Sequence, residues 1–303
     1  MKQRILITGG TGFIGSRLVE RWWQQGHEVT VLTRRPAWAN ERWSGMVHAA
    51  SDLAQLDGQY DRLVNLAGEG IADARWSDSR KAALRRSRIQ LTEQLVDWAQ
   101  ASGQHFSVVL TGSAVGYYGG FDGDDRRQSV AEDHAPGTDF SATLCRDWEL
   151  AAEPLADISK RTVVLRTGIV LGPNGGMLQR MWLPFQFGLG GVIGSGQQML
   201  SWIHMRDYCR AIDHICDSDV RGAVNMTAPT AVTNREFTKA LGKALHRPTL
   251  FPMPSLAAKM AFGEMSELLL QGQQAIPAQL QKSGFRYEFD DLSRALDDIV
   301  SLW

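Results

Sequence analysis

The 303 residues carry a formal net charge of −1, with 44% hydrophobic and 21% charged side chains. This is ordinary globular composition, with enough chain for a large core and no global field to hold nucleic acid or an anionic membrane. Cys145, Cys209 and Cys216 are an odd set without metal-like pairing, so a reducing compartment and no metal site are expected. No run of about 18 apolar residues occurs and the first residues lead directly into a strand pattern, so neither membrane span nor signal peptide is expected, and the reading is cytoplasmic.

Residues 4–8 form a short apolar strand, a glycine segment follows, and 13–25 has helical spacing closed by Gly26. Residues 29–32 are the next apolar run, completing the strand–turn–helix–strand unit of a parallel crossover. The alternation continues with strands at 62–67, 107–111 and 162–166 and helices at 77–102 and 144–156, which predicts an α/β fold with a doubly wound parallel sheet. Arg80, Lys81, Arg85, Arg86 and Arg88 cluster on the first of these helices, where such a set usually forms a solvated face. The glycine-rich stretch 172–201 suggests a binding loop rather than regular structure. Residues 202–216 resemble a strand end feeding a helix, 223–226 a last short strand, and 233–245 a helix capped by Thr233 or Asn234. The rest forms a mixed lobe. The division expected is a nucleotide-binding domain over 1–172, to which 203–228 returns, and a smaller substrate or regulatory lobe from 173–202 and 229–303.

The segment 8–15 carries the most chemistry. Its spacing is Gly9-x-x-Gly12-x-x-Gly15, directly after a strand and opening a helix, as a dinucleotide-binding turn requires. Gly9 permits the tight turn, Gly12 the approach of backbone to a pyrophosphate, and Gly15 the close seating of helix on sheet. At the end of the second strand stands Leu32-Thr33-Arg34-Arg35, with no acid to take a ribose hydroxyl. Arg34 can grip a 2′-phosphate in two-point fashion, or stand in solvent as a loop arginine. The residues favour NADP(H) over NAD(H).

The glycine segment, Asn65-Leu66-Ala67-Gly68, Ser113, and Trp202-Ile203-His204 before Asp207 together resemble an extended short-chain dehydrogenase/reductase. More narrowly, residues 65–72, 112–119, 147–149 and 189–196 resemble its atypical epimerase-family subgroup, described as NADP-dependent and nucleotide-sugar epimerase-like. The resemblance runs nearly end to end and implies a Rossmann fold with cofactor contacts at Gly9, Thr11, Gly12, Phe13, Ile14 and Gly15. It also implies Thr33 and Arg34 at the adenosine phosphate and Asp52 and Leu53 near adenine. Leu66, Ala67 and Gly68 would run beside the cofactor, with Arg88 at its polar face and Thr167 near the nicotinamide amide. The superfamily often dimerises through helices like 77–102 and 144–156, which leaves a homodimer open, with Trp98 and Trp148 either buried there or in the core.

One departure matters. The superfamily's Tyr-x-x-x-Lys pair performs acid–base chemistry, the lysine and nicotinamide drawing the phenol pKa down from about 10. Anchored on Glu149, those two positions here hold Ser141 and Cys145. Ser113 remains to hydrogen-bond a substrate carbonyl, and the phenols of Tyr117 and Tyr118 are the candidate donors; Glu69 and His204 read more readily as structural. The function expected is an NADP(H)-dependent oxidoreductase or epimerase-like enzyme acting on an unidentified small molecule of carbonyl or sugar-nucleotide type. The alternative is an NADPH-binding regulator with little or no turnover.

Overall fold

The computed structural model describes residues 2–121, 125 and 127–303. The chain begins with β1 (Arg4–Thr8), α1 (Phe13–Gln24), β2 (Glu28–Leu32), α2 (Pro36–Trp43), β3 (His48–Ala50) and β4 (Arg62–Asn65). A long helical stretch follows as α3 (Asp78–Arg85) and α4 (Leu91–Ala101), joined by a wider π-type turn over Arg86–Gln90. Then come β5 (Val108–Ala114), the short β6 (Ser129–Val130), α5 (Phe140–Ala152), β7 (Thr162–Thr167) and β8 (Ile169–Leu171). Next are α6 (Gly176–Gln186), β9 (Met199–Leu200), β10 (Trp202–His204), α7 (Met205–Asp217) and β11 (Gly222–Met226). The C-terminal part holds β12 (Val232–Thr233), α8 (Asn234–Ala244), α9 (Ser255–Phe262), α10 (Glu267–Leu270), β13 (Gln274–Ala275), α11 (Ala278–Lys282) and α12 (Leu292–Ser301).

Seven strands make one parallel sheet in the order β11-β7-β5-β4-β1-β2-β3. Its strands are apolar on both faces because helices cover both. On β1, Ile5 and Ile7 join Leu18, Trp22 and Ile212 in one core, while Leu6 points oppositely to join Leu63, Val96 and Val109. A separate core of Leu178, Phe185, Trp202, Phe237, Leu241 and Leu296 holds β8, β10, α6, α8 and α12. Asp207, wholly buried, accepts from the backbone N–H groups of Glu288 and Phe289 and pairs with Arg210, which pins the chain before α12.

Three readings of local structure need correction. Residues 172–201 are not simply a loop, since α6 occupies Gly176–Gln186. The glycines there serve close packing: the Phe13 ring fills the space a side chain on Gly175 or Gly176 would need. The second helix lies at Phe140–Ala152 rather than 144–156, because Asp139 caps it and Pro154 follows its end. The basic cluster is largely paired rather than solvated: Arg80 grips Glu69, Lys81 meets Glu264 at 2.5 Å, and Arg85 meets Asp147 at 2.6 Å. Trp148 is a core residue under Gly112, and Trp98 packs against Tyr60. Thr233 caps α8 in a reciprocal box with Glu236.

Candidate functional site

A cleft of about 670 Å³ opens where the strand order reverses, at the C-terminal ends of β1, β2 and β4. Its wall takes Thr8, Gly9, Thr11 and Gly12 from the turn, Leu32 to Arg35 after β2, Ser51 to Leu53 after β3, and Leu66 to Glu69 after β4. Gly9 has φ +71°, and a Cβ there would lie 2.6 Å from the Leu66 carbonyl oxygen. A Cβ on Gly15 would drive into the Gly9 carbonyl, so α1 reaches the sheet only with glycine at this position. No side chain caps α1 and no acid sits in its first turn. The helix therefore presents uncompensated N–H groups and its positive end to the cleft, a cradle that fits a dinucleotide pyrophosphate.

At the tip of β2 the Arg34 side chain is 88% exposed, and its Nη1 lies 4.0 Å from Glu69 across the cleft. The Thr33 hydroxyl stands 3.3 Å from that of Thr11 and accepts from the Arg35 N–H. Arg35 rests over the Trp38 ring. Asp52 turns its carboxylate to the Ala54 N–H and caps its own turn. The loop beyond β4 is clamped from beneath: Arg80 bonds the Glu69 carboxylate and the Gly70 carbonyl, and Arg88 donates to the Glu69 carbonyl at 2.8 Å. Burial lowers the Arg88 pKa from its ordinary value. Arg88 thus supports the cleft wall under Gly68, while Ser87, Leu91 and Gln94 of the same stretch reach the wall itself. The side chains of Phe13, Ile14 and Thr167 are engaged elsewhere: Phe13 packs on Gly172 and Gly175, Ile14 on the main core, and the Thr167 hydroxyl bonds that of Tyr208 at 3.0 Å.

One strand further along the sheet lies a buried polar cluster. The Ser113 hydroxyl donates to Glu149 Oε1 at 2.6 Å. Arg166 of β7 grips the same carboxylate with Nε and Nη2, each at 3.0 Å, and the Arg166 and Glu149 side chains are only 6% and 15% exposed. The Arg166 guanidinium also lies 3.5 Å from the Tyr117 ring centroid and donates to the Tyr118 hydroxyl. Burial opposes the charge of Arg166, yet the Glu149 bonds prevail and its pKa is raised. Tyr118 donates in turn to Asn225 at 2.7 Å, and burial pushes its phenol above the ordinary value. Its hydroxyl is thereby occupied within the fold. Ser113, likewise, offers lone pairs rather than a proton, because its proton is already given to Glu149.

The positions of the absent Tyr-Lys pair are both buried, and the Gly116 backbone lies over them. Burial, then the Glu149 charge, push the Cys145 thiol up to about 11, so it stays neutral. Side-chain hydrogen bonds lead from the cleft to α5. Thr8 donates to Asn65, Asn65 Nδ2 to Thr92, and Trp148 of α5 also donates to the Thr92 hydroxyl. His204 is structural: its Nδ1 accepts from the Arg206 N–H, its ring stacks on Phe289, and burial lowers its pKa despite Asp298 at 3.3 Å. Sequence reasoning passed over Arg166 and used Glu149 only to set helix register. The available signal was an arginine directly after the apolar run Val163-Val164-Leu165 in strand 162–167, which has to find a buried partner.

Among the described residues no group of three or more His, Cys, Asp or Glu could hold a metal ion, and no helix is long and apolar enough to cross a membrane. Residues 5–227 match the model of the NAD dependent epimerase/dehydratase family, and 253–299 match a domain of unknown function, DUF1731. The epimerase family protein Mb2239 of Mycobacterium bovis is 41% identical over 301 residues, covering 96% of each chain. The human epimerase family protein SDR39U1, whose crystal structure was determined with NADPH, superposes with TM-score 0.89 at 35% identity over 99% of this chain and all of that one. A nucleoside-diphosphate sugar epimerase from Corynebacterium glutamicum matches with TM-score 0.78 at 30% identity over all of this chain and 59% of its own. The chain belongs to the NAD dependent epimerase/dehydratase family, as an NAD(P)-binding member with the short-chain dehydrogenase/reductase fold.

Proposed function

We propose that this protein is an NADP(H)-dependent oxidoreductase or epimerase-like enzyme acting at a hydroxyl or carbonyl of a small molecule, with a sugar nucleotide as the favoured class. The observation that carries the reading is the Ser113–Glu149–Arg166 set one strand from the cleft, a proton route where the Tyr-Lys pair is absent. Two further facts support the choice of NADP(H). Arg34 and Arg35 stand at the tip of β2 without an acid, and the human relative was solved with NADPH. Gly9, Thr11, Gly12 and Gly15 would hold the pyrophosphate end, Thr33 and Arg34 the 2′-phosphate, and Asp52 and Leu53 the adenine side. Leu66, Ala67 and Gly68 would flank the rest, with Arg88 bracing them from behind. Phe13 and Ile14 would offer their backbone N–H groups to the pyrophosphate, and Thr167 would lie toward the nicotinamide amide. The lobe of 173–202 and 229–303 would bear the substrate.

A bound nicotinamide supplies the hydride acceptor or donor. The chain supplies the proton path. A substrate hydroxyl gives its proton to Ser113 Oγ as the Ser113 proton passes to Glu149, and the reverse order returns a proton to a carbonyl. Arg166, bonded to Glu149 through two nitrogens, takes the place of the missing lysine as the fixed positive charge.

The test begins with NADPH and NADH titrations, read by energy transfer from tryptophan. Arg34→Ala should weaken NADPH by about 10- to 100-fold, the worth of a charge-assisted contact, and change NADH little. A panel of alcohols, carbonyls and sugar nucleotides is then screened with NADP⁺ or NADPH. Glu149→Gln should cut turnover about 100-fold or more while leaving NADPH affinity intact. A second reading is favoured by Ser141 and Cys145 at the catalytic positions: an NADPH-binding regulator. Tight NADPH binding with no turnover across the panel would select it.

A further inference from the structure

Of the twelve large apolar side chains exposed among the described residues, eight lie within 183–189 and 250–260. Phe187 is 75% exposed, Leu250 74% and Leu256 68%. The two stretches form one face. The Met253 N–H donates to the Val192 carbonyl, the Gly194 N–H to the Met253 carbonyl, and Arg247 Nε to the Gln186 carbonyl. An exposed apolar run of this kind is uncommon on a protein that meets only water.

Its charge is equally one-sided. No Asp or Glu occurs from 158 to 206 or from 237 to 263, whereas Lys243, Arg247 and Lys259 lie in or beside the face and are exposed. Two acids at its edge are paired, Asp73 with Arg180 at 2.5 Å and Glu264 with Lys81, while Glu267 of α10 is half-buried beside Glu264. Apolar side chains standing out from turns and two helices, with cations around them and no acid within either stretch, match the boundary of an anionic lipid leaflet. A second copy fits less well, because a two-fold contact through this face would set the same cations against one another. A folded acidic partner would need a surface matched to each projecting side chain, whereas fluid lipid moulds around them.

We propose that the face built from 183–194 and 247–260 docks on an anionic membrane surface, with Phe187, Leu250 and Phe251 entering the headgroup boundary and Lys243, Arg247 and Lys259 meeting lipid phosphates. The near-zero net charge conceals this local asymmetry. Contact of this kind needs no spanning helix.

The test is co-sedimentation of the full chain with phosphatidylcholine vesicles, with and without about one third phosphatidylglycerol, at low salt. Binding is expected to the mixed vesicles alone and to fall as salt rises to about 0.5 M. Phe187→Ser with Phe251→Ser should weaken it about tenfold or more, as buried apolar area is lost. Lys243→Gln with Lys259→Gln should weaken it about 30-fold, from the usual contribution per cation. NADPH titration and thermal melting verify that each variant is folded. No binding to mixed vesicles, equal binding to neutral ones, or full binding by the Phe187/Phe251 variant would each overturn the proposal. So would a solution dimer dispersed by the same two serine substitutions, which would assign the face to a second copy.

Discussion

The cofactor cleft and the Ser113–Glu149–Arg166 cluster are neighbours on one sheet, and they handle charge in opposite ways. In the cleft, charge is left open: α1 has no side-chain cap and Arg34 projects almost freely into solvent. In the cluster, charge is consumed internally, since Arg166 and Glu149 close on each other out of water and Ser113 completes the carboxylate's shell. An open set of positive groups waits for a ligand to neutralise it. A closed, neutral set holds its charges against each other until a proton reaches Glu149, and Arg166 is then its one fixed positive charge. Binding and proton transfer thus call for different local electrostatics.

The harshest way to break the comparison is to open the closed set. Arg166→Met leaves Glu149 buried and unpaired, which should cost about 3–5 kcal/mol in denaturant unfolding. Arg166→Met with Glu149→Leu should recover most of that loss, because no ion is then stranded. A loss below about 1 kcal/mol in the single variant would mean that water reaches the pair, as at surface ion pairs, and the contrast with the cleft would vanish.

The next largest effect belongs to the cleft. Gly15→Ala sets a methyl against the Gly9 carbonyl, so the turn or the helix has to shift. Overpacking of this kind costs about 1–3 kcal/mol, and NADPH affinity should fall more than the stability loss alone accounts for, by about 100-fold or more. Melting temperature and tryptophan energy transfer report the two separately. Unaltered affinity in Gly15→Ala would mean that the turn does not hold the pyrophosphate.

The two regions also differ in how far the sequence discloses them. The glycine turn is legible because its demands are local: a positive φ at Gly9 and a close approach at Gly15 are met within seven residues. The parallel sheet follows from the same local alternation of strand and helix. The cluster is not legible in that way. Glu149 and Arg166 sit 17 residues apart on a helix and a strand, and nothing in the intervening chain announces that they touch. The same limit explains residues 172–176, whose glycines read as loop until the Phe13 ring, distant in sequence, is seen filling their side-chain space. It also explains the basic stretch 80–88, whose partners Glu69, Glu264 and Asp147 come from three other segments.

The smallest effect is expected at Cys145, which stands where the superfamily keeps its lysine. Its thiol is held neutral, with burial raising its pKa from 9.0 to about 11. Cys145→Ala should therefore leave NADPH affinity and the pH profile of turnover unchanged below about pH 9, at a stability change of about 1 kcal/mol. The linkage has a definite sign. Between pH 9 and 11 the unfolded thiol ionises while the folded one does not, so wild type loses stability as pH rises through that window and Cys145→Ala is spared this loss. A shifted pH optimum in Cys145→Ala would instead make the thiol a working acid, and the proton path would then run through α5 at Cys145 rather than through Glu149.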